Sequence, residues 1–88
     1  MTGVGMLRAP QQVVGSRVLW VECDADAAAG MEVELSVAGH VLLRARLLAD
    51  AQDGRYLLGT AMAKSTVGST VSVVFHLSGG TLLSFGWQ

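Results

Sequence analysis

A chain of 88 residues has room for one domain. It is 51% apolar, only 15% charged against a usual ~25%, and has a mean hydropathy of +0.48 and a net charge of −1. That balance excludes a global field for nucleic acid or anionic membrane. A single cysteine, Cys23, excludes an intrachain disulfide.

No run approaches the ~18 apolar residues of a spanning helix, and residues 1–10 lack the charged start and apolar run of a signal peptide. The cytoplasm is the expected compartment, with no membrane contact. The abundance of Ala, Val, Gly and Leu beside one lysine suggests a bacterial coding sequence rich in G and C. A domain of this size buries only ~60–65% of the surface its unfolded chain exposes. Half-apolar composition then exceeds what the chain can hide alone, so a second copy or another protein is expected to cover part of it.

Residues 1–11, broken by Gly3, Gly5 and Pro10, read as a flexible lead-in to a single β domain over 12–88. Residues 13–23 read as the first strand, with a bend or bulge at Gly15. Val18, Leu19, Trp20 and Val21 are apolar on both faces, which predicts a central or doubly covered position. Asp24 can cap one helical turn of alanines, ended by Gly30 in the left-handed region.

From Met31 to Ala38 the pattern alternates, with Met31, Val33, Leu35 and Val37 on one face and Glu32, Glu34 and Ser36 on the other. Gly39-His40 reads as a hairpin turn. Residues 41–50 favour helix by propensity, but their apolar positions scatter around a helical wheel. As a strand they separate Val41, Leu43, Ala45, Leu47 and Ala49 from Leu42, Arg44, Arg46, Leu48 and Asp50, so strand is chosen.

Asp53-Gly54 signals another hairpin, leading to a strand over 55–63 with Tyr56, Leu58, Thr60 and Met62 on one face. On the other face Gly59 leaves room for a close neighbour. Residues 64–69 read as a loop. Strands follow over 70–77 (Val71, Val73, Phe75 and Leu77 inward) and 81–87, joined by a turn at Ser78-Gly79-Gly80. Six strands with short turns predict an all-β fold, a small antiparallel barrel or sandwich. Closure as a barrel is favoured because it removes aggregation-prone edges.

Catalytic chemistry finds little support. Zinc requires three or four ligands, usually in close pairs, and Cys23, His40 and His76 are far apart in sequence. His40 reads as a turn residue, His76 as the solvent-facing member of a strand, and Cys23 as a buried structural thiol. Cys23 and Asp24 are neighbours on a strand, which sends them to opposite faces. Glu32 and Glu34 share a solvent face and need no acid–base role. Gly3-Val4-Gly5 lacks the spacing and flanking elements of a dinucleotide loop. No metal and no cofactor are expected.

The seven acids fall within residues 22–53, which carry −5, against +2 on either side. Arg44 and Arg46 share a strand face flanked by Leu42 and Leu48. Two guanidiniums on an apolar background can hold a phosphate or carboxylate. The competing reading pairs them with Glu32 and Glu34 across the hairpin. A simple count from the turn sets Glu34 opposite Ala45, so a one-residue shift or diagonal pairing is needed.

Residues 30–62, with two alternating strands and then Gly54-Arg55-Tyr56-Leu57-Leu58-Gly59 entering a closing strand, resemble the later strands of PilZ-type barrels. The resemblance covers about a third of the chain. The arginine pair and the Asp/Asn-Ser-Gly motif that hold cyclic dinucleotide in that family are not present. The resemblance therefore implies a barrel without that ligand.

The leading expectation is a small non-catalytic binding or assembly module that homo-oligomerises through apolar surface. A second reading places a ligand-binding or enzymatic site at a subunit interface around Arg44, Arg46 and His76, with Tyr56 and Trp87 as further binding candidates. A third makes the chain an inhibitor or accessory partner of another protein, using its acidic middle segment.

Overall fold

The computed structural model describes residues 2–52 and 54–88, and the side chains of all of these except 2, 3 and 49–52. Alternating apolar residues dominate, and the chain forms six antiparallel strands: β1 (Thr2–Val13), β2 (Leu19–Cys23), β3 (Glu32–Val37), β4 (His40–Gln52), β5 (Arg55–Leu58) and β6 (Thr70–Trp87). One short helix, α1 (Ala25–Gly30), and a 3-10 turn at Lys64–Thr66 complete it. The pairings β2–β5, β5–β4, β4–β3, β3–β6 and β6–β2 close a five-stranded barrel, and β1 lies outside it along β6.

Two long strands make closure possible. β4 pairs with β3 through residues 40–46 and with β5 from Leu47 onward. β6 pairs with β1 and β3 through its first half and with β2 through residues 82–87. Each therefore passes from one sheet to the other. β6 bends at Gly79-Gly80, where Gly80 adopts φ +75° and lies directly against α1. The Asp24 carboxylate holds this corner. It accepts from Ala27 N–H (2.8 Å) as the helix cap and from Thr81 N–H (3.1 Å to each oxygen). The helix ends through Met31 in extended geometry, not through a left-handed Gly30 as expected, and Gly30 faces the Ser78 side chain.

The core is the inward set of the strands. Leu19 and Val21 of β2, Met31 at the entry to β3, Val33 and Leu35 of β3, and Val73 and Phe75 of β6 are essentially inaccessible. Phe75 meets Phe85 across the barrel at a ring separation of 4.9 Å. Among the described residues no polar or charged side chain is buried. The radius of gyration, 11.9 Å, equals the ~12 Å of a folded chain of this length, outer strand included.

Several expectations hold. The fold is an all-β barrel. Residues 41–48 are strand, with Leu43, Ala45 and Leu47 turned inward and Leu42, Arg44, Arg46 and Leu48 exposed. β2 is central, between β5 and β6. Gly59 is the site of a close approach: its N–H donates to Arg46 O at 2.9 Å, and a Cβ there would lie 2.7 Å from that oxygen.

Others need correction. The expected lead-in is a strand, because residues 2–13 find the free edge of β6. The expected strand over 13–23 breaks at residues 14–18, where Val14 turns into the core and Gly15 packs against the Trp87 side chain. The expected strands over 70–77 and 81–87 are one bent strand. The strand expected over 55–63 stops at Leu58. Beyond it the chain crosses to the 14–18 segment, where Met62 N–H donates to Arg17 O and Arg17 Nε donates to Met62 O. The β3–β4 turn is Ala38-Gly39, both at positive φ (49° and 83°), not Gly39-His40. At the β4–β5 hairpin Gln52 pairs with Arg55, and Asp53 lies outside the described residues.

Candidate functional site

The outer face of the sheet β1-β6-β3-β4 gathers three of the sequence candidates. Register sets Arg46 beside Glu32, Glu32 beside His76, and His76 beside Met6. The next row runs Arg44, Glu34, Val74, Arg8. The alignment depends on a bulge. Ser36 pairs with Val41 and Leu35 with Leu43, so Leu42 is an extra residue. That one-residue shift places both glutamates opposite both arginines.

Arg44 is consequently neutralised. Its Nε pairs with Glu32 and its Nη2 lies 3.6 Å from Glu34 Oε2, the same oxygen that His76 Nε2 approaches at 3.2 Å. Val74, outward by parity and absent from the central core, is nonetheless only 7% exposed between Arg8 and Glu34. The charged side chains thus close over an apolar strip, as in an ordinary solvated sheet face. Arg46 makes no ion pair among the described residues. Two carboxylates thus hold Arg44 and keep it from gripping an anion, while Arg46 and Arg8 stand on the same face.

The remaining candidates stand elsewhere. Tyr56 is buried in the core opposite Val21 and Ala51. Trp87 is half-buried at the end of β6, over Gly15. Neither reaches the Arg44–His76 cluster through any pairing in the sheet. Cys23 is free and buried, and burial, with Asp24 adjacent, pushes its thiol up to about 11, the opposite of an activated nucleophile. No group of three potential metal ligands occurs among the described residues.

Two apolar features were not legible in the sequence. At one end of the barrel Leu35, Leu42, Leu43, Ala61, Met62 and Thr66 line a cleft of about 230 Å³. Leu42 stands on its rim 53% exposed, with Val37 and Val41 also exposed on the same hairpin. At the far side of the sheet, β1 exposes Val4 (81%) and Met6 (55%). The Leu42 position follows from the bulge, which no local signal announces. The β1 residues lay in the segment read as a lead-in.

Compared with family models, curated protein sequences and solved structures, the chain matches none. The likeness of residues 30–62 to PilZ-type barrels accordingly remains one of strand pattern.

Proposed function

We propose that this chain is a small binding and assembly module that associates with further copies of itself through apolar surface. The observation that carries the reading is that several of its exposed large apolar side chains stand together. Leu42 lines one cleft, with Val37 and Val41 exposed on the same hairpin, and Val4 and Met6 follow one another on the outer strand. Scattered exposed leucines are ordinary on a monomer, whereas contiguous ones mark contact surfaces. In the polar cluster Arg44 is held by Glu32 and Glu34, which takes it out of play for an anion. Sedimentation velocity over a concentration series tests the proposal. A concentration-dependent dimer or larger assembly is expected, and a monomer at every concentration overturns it.

A further inference from the structure

The barrel closes without β1. Residues 73–76 of β6 pair with β3 along one edge and with β1 along the other. Beyond the bend at Gly79-Gly80, β6 pairs with β2. Each barrel strand thus has a neighbour on both edges, whereas β1 pairs with β6 alone among the described strands.

Side chains hold β1 only lightly. Over residues 4–13 none is buried. Leu7 and Ala9 pack half-buried against the core, while Val4, Met6 and Val13 stand exposed. The described side chains of β4 are not buried either, but that strand is paired on both edges. The register of β1 is also broken near both ends, between Thr2 and Val4 and between Ala9 and Gln12. In the second irregularity Pro10 has no N–H to give and Gln11 sits at φ 58°. Firm anchorage begins one residue past the strand. Val14 is 1% exposed, its N–H donates to Ser69 O (2.9 Å), and its O accepts from Gly68 N–H (2.8 Å).

We infer that β1 is a detachable strap: it opens as one unit up to the Val14 anchor, leaves the five-stranded barrel closed, and bares the β6 edge that it covers. Opening breaks the bonds of one strand edge and uncovers Leu7 and Ala9, and the buried core residues stay in place. A segment with so little apolar burial opens at a lower free energy than the core does. Opening past Val14 would breach the core itself, which sets the limit of the unit. A bared strand edge is a template for pairing with another chain, and the strap keeps it covered. The strap is independent of whether the chain self-associates.

Amide hydrogen exchange on the full wild-type chain, resolved by residue, tests this. Each residue of an antiparallel strand aims its N–H at one neighbour only, so alternate amides of residues 73–76 point to β1 and the others to β3. The β6-bonded amides of residues 4–9 are expected to share one protection, at least about tenfold below that of β2 and β3. The β1-facing amides of residues 73–76 should share it, and the β3-facing amides should keep the protection of the barrel. Protection that instead rises step by step from Thr2 toward Val13 is simple fraying and overturns the unit. Protection equal to that of the barrel overturns the strap.

Low urea supplies a second reading, because sensitivity to denaturant scales with the surface an opening exposes. Protection in β2 and β3 is expected to fall steeply with urea, and protection in β1 only slightly. Equal slopes overturn the strap. Leu7→Ala, at a half-buried position, is expected to lower the shared β1 protection about tenfold in a chain that circular dichroism shows to be folded. Unchanged protection in that variant also overturns it.

Discussion

Gly79 and Gly80 are adjacent, yet alanine is expected to have opposite consequences at the two positions. At Gly80 the backbone has φ +75°, where an L side chain is strained by about 1–2 kcal/mol. Its Cβ would also overlap Ala27 N and the Asp24 carboxylate and lie 2.8 Å from Ala27 Cα. These are mostly backbone atoms, so α1 must move off the corner. Displacing it forfeits the Asp24 cap, about 1 kcal/mol. It also forfeits the bond from Thr81 N–H to the carboxylate, about another 1 kcal/mol at this exposed site. Gly80→Ala should thus cost about 3–4 kcal/mol, a large share of the roughly 4–13 kcal/mol available to a chain of this size. At Gly79 a Cβ would enter open space, with nothing within 4 Å, and φ is not positive, so Gly79→Ala should be neutral or stabilising by about 0.5 kcal/mol. Urea denaturation followed by circular dichroism measures both. Equal effects, or a Gly80→Ala cost below about 1 kcal/mol, would refute the assignment of this corner as a steric keystone.

Asp24→Ala should cost about 2 kcal/mol and Asp24→Asn clearly less, because the amide oxygen still caps Ala27 N–H; thermal melts give the order. Gly59→Ala should cost about 2 kcal/mol in the same assay, since its Cβ would crowd Arg46 O and break the bond that docks the end of β5 on β4. Glu34→Gln should cost no more than about 1 kcal/mol, falling further in high salt, because Arg44 is 58% exposed and remains paired with Glu32. The Cys23 thiol keeps its proton in the fold to about pH 11, against 9.0 ordinarily. Its contribution to stability is therefore intact below pH 9 and lost as pH rises toward 11. Native protein should react with a thiol reagent at mildly alkaline pH only at the rate of unfolding, and rapid reaction would contradict the burial.

Local pattern determined much of this protein. Alternation in Met31, Val33 and Leu35 and in Val71, Val73, Phe75 and Leu77 identified the core faces, and Asp24 before a run of alanines identified the helix. The helical propensity of residues 41–50 lost to their two-residue period, as burial of one sheet face requires. The Glu–Arg pairing was foreseen as a type of contact, although its register was supplied by the Leu42 bulge.

What the tertiary structure alone decided is where strands end and which edges they meet. Ser78-Gly79-Gly80 has the composition of a reversal, but β6 only bends there, since its halves have different partners on the two sheets. Gly3, Gly5 and Pro10 weaken any local signal in β1, and the strand exists because β6 offers an unfilled edge twelve residues long. Side-chain period is a property of consecutive residues and can be read along the chain. Backbone pairing is a property of segments distant in sequence, set by which hydrogen-bonding edge remains open once the barrel has closed.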